Sequence, residues 1–311
     1  MEFDSIQNID PFNKSLIKSM FDQTDLKTAL NILNLNRDYI ETELPYELSY
    51  GDLFHIIDAF YTIGLRNYDV LEFGGQLSYK FIAECIRPRS WCSITLDLYN
   101  SDYHYNDAIL SREGISQTHS NAEFPYFCTN LGLELIWQVS GFFSSNPPFD
   151  RILSVAAFEH LRRPSFCLSQ LSSLCRQETF LYSYFTPVWS APNGHHWSYS
   201  PFEIKPFSHL YYSYNEMIDY FLSFNSPFHS ISNAEKHAYF IYKSTRINRL
   251  LPLEWDKTFR DMPFKIIHVQ PVQLKAISAF DYLTSHQIMK VQSVLKSEFS
   301  CSGYRLIATK E

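Results

Sequence analysis

Between residues 11 and 64 apolar positions recur every three or four residues, in "PFNKSLIKSMF", "DLKTALNILNL" and "YGDLFHIIDAFYTIGL". That period predicts amphipathic helices. Asp25 stands where it would cap the second, and Gly64 where it would stop the third. From residue 68 the pattern changes to short apolar runs at 68–73, 91–98, 133–139, 149–155 and 179–185. Helical stretches are expected after the first and fourth, most clearly "SFCLSQLSSLC". Strands alternating with helices predict a parallel sheet covered on both faces. Two late runs, 264–270 and 304–310, would close it with an antiparallel edge.

The stretch between the fifth strand and residue 262 breaks this alternation. Its first half, "PVWSAPNGHHWSYSPFEIKPFSHLYYSY", reads as loop, and its second, "EKHAYFIYKSTRINRLLPLEWDKTF", as helix. An ordered insertion of this size suits a lid or substrate-binding element. The expected organisation is an N-terminal helical cap over 1–60 and an α/β domain over 61–311, with a lid insertion at about 188–262.

Composition narrows the function classes. The 311 residues carry a formal charge of -7, with 45% hydrophobic and 19% charged residues, as in a globular protein without a basic nucleic-acid face. The first residues show neither the basic nor the apolar region of a secretory signal, and no apolar run is long enough to span a bilayer. Six scattered cysteines without a CxxC pair read as buried thiols in a reducing cytosol, so a cytoplasmic location is expected. With only nine glycines, those present are expected where the backbone demands them.

Candidate chemistry sits at the ends of the first two strands. Glu72 closes the first, Gly74 and Gly75 make the turn, and Asp97 closes the second, placed as an acid that meets ribose hydroxyls in a doubly wound sheet. The order strand–Glu–Gly turn, strand–Asp, strand, "FDRILSVAAFEHL", helix, strand–"TP" resembles class I S-adenosylmethionine-dependent methyltransferases, especially those acting on small molecules. "GYRLIATK" is similar to that family's last strand, which inserts antiparallel beside the fifth. The resemblance covers roughly residues 60–185 and the C-terminal hairpin. It implies a Rossmann-like, seven-stranded, mostly parallel sheet with an antiparallel last strand, and S-adenosyl-L-methionine as cofactor. The implied cofactor residues are Glu72, Phe73, Gly74, Gly75, Gln76, Ser78, Asp97, Leu98, Ser140, Gly141, Phe142, Val155, Ala156 and His160.

Departures from the family pattern are equally visible. Gln76 and Ser78 stand where it has further glycines, Ser140 where an acid often faces adenine, and Arg176 to Glu178 where "PGG" usually precedes the fifth strand. A dinucleotide fold needs its glycine loop to hold pyrophosphate, whereas this cofactor has no phosphate, so the shortened pattern disfavours a nicotinamide dehydrogenase. "NPPF" (146–149) precedes its strand, unlike the motif of amino-group methyltransferases. Glu159-His160 lacks the Glu three residues earlier that a Mg²⁺-dependent relative would use, that position being Ala156.

Methyl transfer to a hydroxyl needs positioning and removal of a proton, for which histidine is suited. His195 or His196 in "NGHHWSY", and after them His209, are the candidate general bases. Trp189, Trp197, Tyr199, Tyr211 and Tyr212 could line an aromatic pocket or seat the insertion on the sheet. Arg246 and Arg249, three apart, could bind an anionic group or form a solvated face or salt bridge. The expected activity is O-methylation of a small molecule or sugar, without nucleic-acid or membrane partners and with a possible homo-oligomer. The alternative is a catalytically inactive methyltransferase-like binding or scaffolding protein.

Overall fold

The computed structural model describes residues 11–42, 48–75, 77–94, 115–118, 126–129, 149–161, 163–196, 204–223, 230–244, 247–272, 279–296 and 301–311. The N-terminal helices are α1 (Pro11–Phe21), α2 (Leu26–Leu35), α3 (Arg37–Thr42) and α4 (Tyr50–Ala59), the last continuing as a wider π-turn over Phe60–Gly64. Asp25 caps α2 by accepting from the Thr28 N–H at 2.9 Å. Ser49 and Asp52 cap α4 reciprocally. The helices bury the periodic positions: Ile17, Met20 and Phe21 in α1, Ala29 and Leu33 in α2, and Leu53, Ile56 and Ile57 in α4.

The sheet begins with β1 (Asp69–Phe73), followed by the short helix α5 (Tyr79–Phe81) with its π-turn Ile82–Ile86, and then β2 (Ser90–Ile94), β3 (Ile115–Thr118), β4 (Tyr126–Thr129) and β5 (Phe149–Val155). Next come α6 (Pro164–Ser173), β6 (Cys175–Phe185), α7 (Ser208–Tyr211), α8 (Tyr214–Leu222), α9 (Ile231–Tyr242), α10 (Pro252–Asp261), β7 (Lys265–Val272), α11 (Ser285–Leu295) and β8 (Gly303–Thr309). The strand order is β3-β4-β2-β1-β5-β6-β8-β7. β1 pairs parallel with both β2 and β5, and β2 parallel with β4. In β1, Val70, Leu71 and Phe73 are completely buried, as a central parallel strand requires. Full burial of side chains this size contributes roughly 1.5–3 kcal/mol each.

The expected Rossmann-like α/β class is present, and β8 takes its expected place between β6 and the edge strand. Its antiparallel sense shows in the bonds from Glu178 N–H to Lys310 O (2.9 Å) and from Lys310 N–H to Thr179 O (2.9 Å). The described sheet has eight strands and not the seven expected, because β3 adds antiparallel to β4 outside the parallel set. Neither β3 nor β4 was expected, and the strand expected at 133–139 lies outside the described residues. The second half of the insertion is not one helix. It breaks into α9 and α10 with residues 248–251 in neither helix, and Pro252 starts α10 where its missing N–H costs nothing.

The chain folds as two compact units. The first takes residues 1–156, 170–182 and 308–311, so the N-terminal helices belong with β1, β2 and β5. Within it Asp58 of α4, 5% exposed, accepts from the Tyr182 hydroxyl of β6 at 2.7 Å. At the starts of its strands Asp69 and Asp150 each bond both Arg89 and Arg176, at 2.5–2.9 Å. The second unit takes residues 157–169 and 183–307 and holds two apolar clusters. One gathers Trp189, Met217, Phe221 and Ile241, the other Phe207, Tyr211, Val291 and Leu295.

Candidate functional site

In the first unit the turn after β1 is organised from inside by Glu72. This carboxylate is 4% exposed and both its oxygens are engaged. Oε1 accepts the Leu77 N–H at 2.9 Å, while Oε2 accepts the Trp91 indole N–H at 3.0 Å and the Ser93 hydroxyl. Burial pushes the carboxyl above its usual range, against the pull of the Ser93, Trp91 and Leu77 bonds. Trp91 and Ser93, which the sequence reading did not single out, come from β2. Their signal was present: they are two apart, hence on one face, and Ser93 interrupts an apolar strand.

Both glycines are required here. Gly74 has φ +89°, a region that side chains rarely adopt. A Cβ on Gly75 would lie 2.6 Å from Glu72 Oε1. The Gly74 N–H donates to Ile94 O at 2.8 Å, and Phe73 O accepts from the buried Ser154 hydroxyl at 2.9 Å. Ser78 is exposed and caps α5, accepting from the Phe81 N–H at 3.3 Å.

This arrangement disfavours one ligand class. A pyrophosphate site offers unengaged backbone N–H groups at a helix start. Here the N–H groups of Gly74 and Leu77 are used by Ile94 O and Glu72, and an acidic side chain occupies the turn's interior. The half-buried Gly74–Gly75 backbone instead presents a close, uncharged approach. That suits a ligand without phosphate.

The other sequence-predicted cofactor residues divide into two sets. Gln76, Asp97, Leu98, Ser140, Gly141 and Phe142 lie outside the described residues. Val155 ends β5 and Ala156 follows with φ +52°, a strained turn at the strand's carboxyl end. His160 closes the single 3-10 turn Phe158–His160 in the second unit. Asn248, another residue the sequence reading missed, pins that turn: its N–H donates to Glu159 O and its amide to Leu161 O, both at 2.8 Å. No local sequence signal marks it, because the contact spans 87 residues. Among the described residues no cluster of His, Cys, Asp or Glu could hold a metal ion.

In the second unit His195, His196 and His209 are brought together with His160. The rings of His195 and His209 are 5.3 Å apart, and those of His160 and His196 4.7 Å. His209 is 3% exposed, and its Nε2 donates to Trp189 O at 2.7 Å, which assigns Nδ1 as the unprotonated nitrogen. Burial holds its imidazole down to about 4, against the Trp189 bond. His195 is completely buried and held well below the usual range by burial and then by His209 and His196. His196, held down to about 3 by burial and then His160 and His209, keeps part of its surface exposed. Its Nε2 is buried and has no hydrogen-bond partner among the described residues. Gly194 makes the cluster possible, since a Cβ there would lie 2.6 Å from Trp189 O and 2.8 Å from His209 Nε2.

Trp189 and Tyr211 pack in the two apolar clusters of the second unit, with Tyr212 half-buried against them. Trp197 and Tyr199 lie outside the described residues. Arg249 is not on a helix. Its guanidinium donates to the carbonyls of Ile241 (2.7 Å) and Ser244 (3.0 Å), closing the end of α9. Arg246 is outside the described residues.

No protein-family model and no curated protein sequence matches the chain. Among solved structures it is similar to the cyclopropane synthase MmaA2 from Mycobacterium tuberculosis, with 13% identity, 96% of this chain and 98% of that chain covered, and a TM-score of 0.40. It is also similar to the [4+2]-cyclase SpnF, at 10% identity over 86% and 84% of the two chains with a TM-score of 0.41. A third similar structure is a putative S-adenosylmethionine-dependent methyltransferase from Listeria monocytogenes, at 11% identity over 79% and 92% with a TM-score of 0.39. Alignments this loose carry no weight for function, and the fold rests on the strand order itself.

Proposed function

We propose that the protein is an S-adenosylmethionine-dependent methyltransferase that O-methylates a small molecule or sugar. The observation that carries this reading is the turn after β1: a glycine pair packed against the buried Glu72, with the Gly74 N–H bonded to Ile94 O and the Leu77 N–H to Glu72, on a central strand of a Rossmann-like sheet. Such a turn admits close approach of an uncharged part of a ligand, and its buried carboxylate disfavours a pyrophosphate. Gly74, Gly75, Val155 and Ala156 would hold the cofactor, which supplies the methyl group on a sulfonium when bound.

The chain's own contribution is then to position the acceptor and receive its proton. Of the three candidate bases, His196 suits that role best. It keeps part of its surface exposed, where the other two are buried. His209 is committed to Trp189 O, and His195 is enclosed.

Isothermal titration with S-adenosylmethionine and with its demethylated product tests the reading, and saturable binding of both is expected. Absence of heat with either ligand would reduce the protein to the binding or scaffolding alternative.

A further inference from the structure

Among the described residues β7 ends the sheet, and it is unusual for an edge strand. It is eight residues long and exposed along most of both faces. Ile267 is 53% and Val269 37% exposed, and among the strand residues whose burial is described they are the only exposed large hydrophobic side chains. Two apart, they stand on the same face. Natural edges are usually shortened, charged or covered, because an open row of N–H and C=O groups templates further pairing.

The hydrogen-bond phase of this edge is known. Val272 O accepts the Ser302 N–H at 2.8 Å, so Val272 points toward β8. Counting back by twos, residues 270, 268 and 266 point the same way, and Lys265, Ile267, Val269 and Pro271 point outward. Pro271 fits this phase, since proline in a sheet belongs where its missing N–H would face away from the neighbour. The outward row therefore includes N–H and C=O groups at Ile267 and Val269 and a carbonyl at Pro271.

We propose that β7 pairs antiparallel with β7 of a second copy of this chain, about a two-fold axis through His268. In that register Ile267 of each chain lies opposite Val269 of the other as a hydrogen-bonded pair, and Lys265 opposite Pro271. All the exposed apolar side chains of the strand then form cross-strand pairs on one face, the unit that stabilises sheets. Sliding the register by two residues sets Val269 against Lys265 and loses that match. The interface is isologous, as closed two-fold assembly requires. Charge agrees: the chain has a net charge of -7, yet β7 contains no acidic residue, so no carboxylate of one strand meets one of the other across the pairing. Lys265 and Pro271 bound the pairing at either end and keep it from extending.

Sedimentation of the full chain at micromolar concentration tests the pairing. The unaltered chain should sediment as a dimer, and Val269→Pro as a monomer. That substitution removes an outward N–H and none toward β8, so far-UV circular dichroism should be unchanged. A monomeric unaltered chain, or a Val269→Pro variant that stays dimeric, would overturn the proposal. His268→Cys tests the register: its sulfur should meet its symmetry mate across a non-hydrogen-bonded pair about 4.5 Å apart at Cα, and mild oxidation should link the chains. Ile267→Cys should not link. The reverse outcome, or no link in either variant, would reject the two-fold at His268.

Discussion

At the scale of single residues the turn after β1 makes the sharpest statement. A methyl group at Gly75 would collide with Glu72 Oε1 at 2.6 Å, and the carboxylate cannot withdraw without abandoning Leu77, Trp91 and Ser93. Gly75→Ala should therefore lower cofactor affinity at least tenfold by titration and cost roughly 1–3 kcal/mol of stability as the buried bonds loosen. An unchanged affinity would remove the turn from the binding site. The buried histidines give a pH signature. His209 is held down to about 4 and His196 to about 3, against about 6.5 in an unfolded chain. Between those values the unfolded chain binds more protons, so stability is full above about pH 6.5 and falls as the pH drops toward 4. The slope approaches ~1.4 kcal/mol per pH unit for each histidine. Urea midpoints from pH 7.5 to 5 should show this fall, and His209→Gln should flatten it. Parallel curves for the two proteins would contradict the assignment.

At the scale of elements, the second unit depends on a few contacts that close its long connections. Asn248→Ala would leave Leu161 O without its partner and free the turn carrying His160. A loss of about 1–3 kcal/mol is expected in chemical denaturation, with the circular dichroism spectrum retained. Ser213 caps α8 reciprocally with Glu216, so Ser213→Ala should cost about 1 kcal/mol in the same measurement. Such elements also show what the sequence made legible. Helices α1, α2, α4 and α6 and strands β1, β5 and β8 follow their local periodicity closely, because burial on one or both faces set those residues. The cap at Asp25 was readable for the same local reason. Strands β3 and β4 were not, being four residues each and too short to show a period. Nor was α8, which lies in a stretch so rich in tyrosine that helix and loop look alike. The site follows the same division. Glu72, Gly74 and Gly75 fall within one turn and could be singled out locally; Trp91 and Ser93 left a local sign in their spacing but none of their partner, and Asn248 acts across 87 residues, a distance not written in a single sequence.

At the scale of the whole molecule, binding must appear as added stability. A ligand present at a hundred times its dissociation constant contributes about 2.7 kcal/mol to the folded state. For a chain of this size the demethylated cofactor should raise the melting temperature by several degrees, while nicotinamide dinucleotides should leave it unmoved. A shift with the dinucleotide alone would revive the dehydrogenase reading.

The carboxylate inside the β1 turn has a kinetic consequence. Its bonds to Leu77, Trp91 and Ser93 are internal, so the carboxylate and the Leu77 amide are held before any ligand arrives. Association then waits on no ordering of this segment, and the observed rate in stopped-flow mixing should rise linearly with ligand concentration instead of levelling off. The Leu77 amide should exchange with solvent as slowly in the free protein as in the complex.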